Sequence, residues 1–157
     1  MAQNTLYFIS GVRGVNYNLV IINFNFINPA NKNSHPKIRI EIVADFLSGK
    51  SDHTVALFNY FVQQYRLIGD ITLQPAKTMI GIATPRMRIT YITQLGKNFI
   101  HVVFPFQQPF PDNLCFQKIA QVPGDAKQIN HHFRMYLEED INEEVQNFMQ
   151  LAFTLGS

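Results

Sequence analysis

The segment "NHHFRMY", Asn130 to Tyr136, sets two adjacent histidines and an arginine just ahead of the acidic run "LEEDINEE". Histidine is a donor that titrates near neutral pH, and arginine is a permanent fork of five donors. Together they could hold a metal, move a proton, grip an anion, or simply occupy a strand. Strand geometry narrows the choice, because successive side chains point to opposite faces. His132, Arg134 and Tyr136 then share one face, and His131, Phe133 and Met135 the other. Two histidines on opposite faces do not share one metal ion. His131 belongs with apolar neighbours and is expected to be buried and hydrogen-bonded. His132 and Arg134 form the pair suited to a phosphate or carboxylate. A plain solvated face is the alternative.

The other reactive residue types give less. His101 lies within the apolar run "FIHVVFPF", where a satisfied core or rim histidine is the simplest reading. No HExxH and no His/Asp pair at metal spacing occurs, so no metal and no cofactor are expected. Cys115 is the only cysteine, which excludes an internal disulfide, a cysteine zinc cluster and CxxC redox chemistry. It sits beside Phe116 and reads as a small hydrophobe. No G-x-S-x-G elbow is present. "SGVRG" and "SGKS" are only fragments of a phosphate loop. What remains is a set of cations interleaved with rings: Lys77, Arg86, Arg88, Tyr91, His101, Lys118, His132 and Arg134. Such a set suits nucleic acid through phosphate contacts and stacking, and it suits a smaller anion as well.

Charge distribution points the same way. The net charge is only +2, but from Ile71 to Leu137 seven lysines and arginines face two acids. From Glu138 to Ser157 there are five acids and no base. The middle is basic and the end acidic. Solvation of two faces explains this blandly, and attraction of an anion explains it more sharply.

Those residues need elements to position them. A chain of 157 residues is about one domain. Apolar residues make up 46%, with fourteen Phe, six Tyr and no Trp. Phe-rich, β-branched segments favour strands. Residues 1–43 are dense in asparagine and carry two apolar runs, "TLYFISGV" and "NLVIINFNFI", which read as a β-hairpin-like extension followed by a linker. Residues 44–157 form the main domain. Ser51 or Asp52 caps a helix over roughly Asp52 to Ile68, with Val55, Phe58, Phe61, Val62, Tyr65 and Ile68 on its apolar face and Gly69 as C-cap. Strands are expected over Lys77–Thr84, Arg86–Thr93, the run ending at Pro105, "CFQKIAQV" and "QINHHFRMY". Within Arg86–Thr93, alternation sets Arg86, Arg88 and Thr90 against Met87, Ile89 and Tyr91. A second helix follows, opened by Asp140 and Glu143 as a capping box and closed by Gly156. The class is α+β: an antiparallel sheet of about five strands with two main helices packed on one face.

"DFLSGKSDHTVALFNYF", "KTMIGIA", "FIHVVFPF", "NLCFQKIAQVPG" and "NHHFRMY…EEDINEEV" together resemble a family of small bacterial domains of unknown function. That family is YdhG-like and more distantly similar to the YjbR-like double-wing domains. The resemblance covers about Ala44 to Gly156. It implies a compact α+β domain without an established activity, and the double-wing relatives suggest DNA binding. It points to Lys77, His132 and Arg134 as the polar positions to test.

Three functions compete. The first is a non-enzymatic module that binds nucleic acid or another polyanion on the basic sheet face, weakened by Lys77→Glu or Arg134→Glu. The second is a small-metabolite pocket or cryptic enzyme built on His101, His132 and Arg134. The third is a protein-interaction domain, homodimeric or with a partner, docking through Phe24 and Phe26 of the extension. A single thiol fits a cytoplasmic location. No apolar stretch reaches the length of about 18–20 residues that a membrane helix needs.

Overall fold

The computed structural model describes residues 43–157, so the expected N-terminal hairpin, with Phe24 and Phe26, lies outside the described residues. A helical turn, 43–47, precedes the first long helix. That helix, α1, spans Asp52–Ile68. The Ser51 hydroxyl accepts the Thr54 N–H at 3.2 Å, which satisfies one of the orphan donors of the first turn. Its buried stripe is Thr54, Leu57, Phe58, Phe61, Val62 and Tyr65, so Leu57 takes a core place that the expected face gave to Val55. Gly69 ends the helix by donating to the Tyr65 carbonyl. Its backbone is extended, with φ 172°, so the glycine is needed for space: a Cβ there would run into the Phe153 ring.

Six antiparallel strands follow: β1 Thr72–Pro75, β2 Ile80–Ala83, β3 Arg88–Leu95, β4 Ile100–Phe106, β5 Lys118–Val122 and β6 Asp125–Met135. They form one sheet in the order β1-β2-β3-β4-β6-β5. β1 is the strand that the sequence left out. It has four residues and ends in proline, which suits an edge strand. Pro105 lies inside β4 rather than at its end, beyond the stretch that pairs with β3. Gly124 takes φ +82° in the β5–β6 turn, a conformation that glycine adopts without a Cβ penalty.

A 3₁₀ turn, Glu138–Asp140, leads into α2, Glu143–Gly156. The cap of α2 is Asn142, whose side-chain oxygen accepts from the Val145 N–H at 3.1 Å. Asp140, expected in that role, instead accepts from the N–H groups of Tyr136 and Leu137 at 2.6 and 2.9 Å. Both helices cover one face of the sheet. Ile80, Ile82, Ile92, Ile100, Val102, Phe104, Phe133 and Met135 from the strands meet Phe58, Phe61 and Tyr65 of α1 and Val145, Met149 and Ala152 of α2. The Tyr65 hydroxyl is hydrogen-bonded to Thr90, a buried polar pair inside this layer. Among the described residues no helix is long and apolar enough to cross a membrane.

Phe104 has no exposed surface. Phe104→Ala is expected to lower unfolding free energy by about 3–5 kcal/mol, and Asn142→Ala by about 1 kcal/mol. Urea denaturation with an unchanged m-value is the check, and equal small effects for both would contradict this packing.

Candidate anion-binding face

Helices bury one face of the sheet, and register decides what stands on the other. Ile100, Val102 and Phe104 point into the core, so His101 and Val103 point away from it. Their partners on β6 are Arg134 and His132. One row of directly opposed residues crosses all six strands: Gln74, Gly81, Tyr91, Val103, His132 and Lys118. A shorter second row holds Gln94, His101 and Arg134. Lys118 and Arg134 are exposed, while Tyr91, His101 and His132 are half-buried. Val103, between Tyr91 and His132, is only 4% exposed and forms an apolar floor.

Two bulges arrange the details. The β2–β3 register slips between Ile82 and Ala83, which gives β3 an extra residue near Ile89. Ile89 and Thr90 are therefore both buried. Arg88 consequently joins Tyr91 on the outer face, although strict alternation set them on opposite faces. The Arg88 stem lies across Gly81, where a Cβ would meet its Cδ at 3.2 Å. Its Nε donates to Gln74 Oε1 at 2.7 Å, which carries the guanidinium toward β1. The second bulge falls between Ile92 and Gln94. It turns Thr93 onto the outer face, where its Oγ1 lies 2.7 Å from His101 Nδ1.

His101 Nε2 lies 3.2 Å from His132 Nδ1. The two rings are within 15° of parallel, with centroids 5.2 Å apart, too far for face-to-face contact. Burial lowers the pKa of both rings. His132 and Arg134 lower that of His101 further, and Lys118 does the same to His132. Beside them the Arg134 guanidinium rests 4.9 Å from the centre of the Phe99 ring, a cation–π contact. Asp125 is the only acid in the six strands.

Not every expected residue joins this face. Lys77 lies in the β1–β2 turn and lines a cavity of about 560 Å³ with Asp45, Phe46, Pro75 and Ala76. Arg86 lies in the β2–β3 turn and donates to the main-chain oxygen of Ser157. The structure therefore brings together Arg88, Tyr91, His101, Lys118, His132 and Arg134, and leaves Lys77 and Arg86 in turns. Thr93, Gln94 and Phe99 belong to the face as well and carried no signal in the sequence. Gly81 did carry one, since a glycine inside a strand marks close approach by another group.

His131 faces the core with no exposed surface. The Phe110 N–H donates to its Nε2 at 3.2 Å, so that nitrogen is unprotonated. The remaining hydrogen is on Nδ1, 3.1 Å from the Ile129 carbonyl. Phe106, Phe110 and Phe116 pack around the ring. Burial pushes its pKa down. Cys115 is half-buried, and burial together with the neighbouring Glu144 carboxylate pushes its thiol up to about 12. That thiol is not a nucleophile at neutral pH. Among the described residues no three His, Cys, Asp or Glu side chains converge on a point that could hold a metal ion.

No protein-family model, curated protein or solved structure matches the chain.

The neutral His131 has a measurable consequence. In the unfolded chain a histidine takes up its proton near pH 6.5. The folded protein resists that proton, because Nε2 is already an acceptor and the site is dry. Stability is then complete above about pH 6.5 and falls as pH drops below it, by at most about 1.4 kcal/mol per pH unit for this one group. Urea midpoints measured from pH 7.5 to 5 should show the fall, and His131→Gln should reduce it to the part that His101 and His132 contribute, while lowering stability throughout. An unaltered pH slope in that variant would contradict the assignment.

Proposed function

We propose that this chain is a non-enzymatic binding module that takes nucleic acid on its helix-free sheet face. One observation carries the proposal. Arg88, Tyr91, His101, His132, Arg134 and Lys118 share that face, and the one acid in the strands, Asp125, stands away from them at the β5–β6 turn. The span of the cations decides between a polymer and a compact ligand. From the Arg88 side chain, which lies over Gly81 of β2 and is held toward β1 by Gln74, to Lys118 on β5 is about four strand spacings, roughly 19 Å. A single phosphate cannot bridge that distance, and a polyanion laid across the strands can. Tyr91 and the two imidazoles supply flat rings on which bases can stack, which suits a single strand.

A second reading has its own support. His101, His132 and Arg134 stand together, as a small anionic metabolite would require. Two cavities, of about 480 and 560 Å³, lie beside the 43–50 segment; the first reaches Thr93 and Gln94, but His101, His132 and Arg134 line neither.

Fluorescence anisotropy with a labelled oligothymidine of about twelve nucleotides tests the proposal. Three full cations predict roughly a 20-fold loss of affinity between 50 and 200 mM salt. Arg134→Glu and Lys118→Glu should each weaken binding at least tenfold. Lys77→Glu and Arg86→Glu, in turns off the face, should change it less than about twofold. Absence of binding at 50 mM salt overturns the proposal. Binding that inorganic phosphate abolishes at millimolar concentration would favour the metabolite reading.

A further inference from the structure

The imidazole pair at the centre of the face does more than line it. Two ring nitrogens 3.2 Å apart need one hydrogen between them. With none, two lone pairs oppose each other, and with two, the N–H groups collide. A neutral pair has one such hydrogen, and so does a pair carrying one extra proton. A pair carrying two extra protons does not. The geometry thus admits a single added proton.

Thr93 makes that addition feasible. Its Oγ1 lies 2.7 Å from His101 Nδ1 and 3.4 Å from the His101 carbonyl oxygen. A hydroxyl can donate to Nδ1 when that nitrogen is bare. It can accept from Nδ1 when the nitrogen carries hydrogen, turning its own hydrogen toward the carbonyl. His132 Nε2 is then the one ring nitrogen of the pair left for a ligand. The charged and titratable groups that share this face are Lys118 from β5, Arg134 from β6, Tyr91 and Arg88 from β3, and Tyr136 beyond β6. His131 lies on the opposite face. No carboxylate stands among them to favour an extra proton, and the nearest full charges, Lys118 and Arg134, oppose it.

Resting on the proposed function, we infer that a phosphate group seated between Lys118 and Arg134 draws one proton onto the His101–His132 pair, so that nucleic-acid binding here is linked to the uptake of one proton. The phosphate offsets the repulsion from Lys118 and Arg134 that adds to burial in keeping the pair neutral, and the His132 Nε2–H, present whenever the pair carries the extra proton, becomes a charge-assisted donor to it. The proton comes from bulk water and returns there on release, and no covalent bond changes. Affinity consequently rises as pH falls.

Oligothymidine suits the test, because neither its phosphodiesters nor its bases titrate between pH 6 and 8. Dissociation constants measured across that range should fall three- to tenfold per pH unit toward the acid side. The double variant His101→Gln/His132→Gln should lose this slope and keep the salt dependence. In the unmodified protein, long-range proton–nitrogen NMR spectra should show one proton shared by the two rings, taken up at higher pH with the oligonucleotide bound. Binding that ignores pH overturns the proton link and leaves the nucleic-acid reading standing. A dependence steeper than tenfold per unit overturns the one-proton limit. No binding at any pH removes both.

Discussion

Seven consecutive residue pairs join β4 to β6, from Ile100 opposite Met135 to Phe106 opposite Ile129, and that register sets the character of both faces. Alternate pairs go to the core: Ile100 with Met135, Val102 with Phe133, Phe104 with His131. The intervening pairs, His101 with Arg134 and Val103 with His132, go to the other side. A slip of one residue would exchange the two sets. It would drive Arg134 beneath α1 and α2 and expose Phe133 and Met135. An unpaired buried guanidinium costs several kcal/mol, and each exposed large apolar side chain about 1.5–3 kcal/mol. The core thus enforces the position of the cationic face. The gathering of charge there follows from burial on the opposite side, whatever use the face has.

Within that frame the two bulges act as aiming devices. Each adds a residue to β3 and sets two neighbours on the same side, which alternation forbids. One buries Ile89 beside Thr90, so that Thr90 meets the Tyr65 hydroxyl while Arg88 stays outside. The other directs Thr93 toward His101. A polar contact on the core side and one on the outer side thereby depend on irregularities in a single strand. Tyr65 shows how strongly the interior opposes charge, since burial raises its pKa despite the Thr90 hydrogen bond.

Much of the architecture was legible in the residues. The 3.6-residue spacing of Phe58, Phe61, Val62 and Tyr65 and the flanking Ser51 and Gly69 define α1 without coordinates. Period-two alternation through "NHHFRMY" separates His131 from His132 correctly. The failures have physical causes. β1 is too short to show a period and ends in proline. Asn142 took the cap from Asp140 because the 3₁₀ turn used the Asp140 carboxylate first. Lys77 and Arg86 open "KTMIGIA" and "RMRITYIT", and the expected strands ran back over residues that the β1–β2 and β2–β3 turns occupy. Bulges leave no trace in composition, so neither Thr93 nor the pairing of His101 with His132 could be found from spacing. Those two histidines are 31 residues apart, and only the β4–β6 register makes them neighbours.

The two histidines that border each other in sequence illustrate how environment separates identical side chains. His131 has both ring nitrogens committed to backbone groups, Phe110 N–H on one side and the Ile129 carbonyl on the other. A proton added there breaks a bond and charges a dry site lined by Phe106, Phe110 and Phe116, so it opposes folding. His132 has one nitrogen committed to His101, while the other is free of protein partners among the described residues. A proton added there meets Lys118 across the strand pair, which opposes it only as long as that charge is uncompensated. Burial is the first cause of the lowered pKa in both residues, yet only for His132 can an external anion reverse part of the effect. Sensitivity to pH at the core side therefore concerns stability alone, and at the outer side it concerns binding as well, although a single peptide bond separates the two residues.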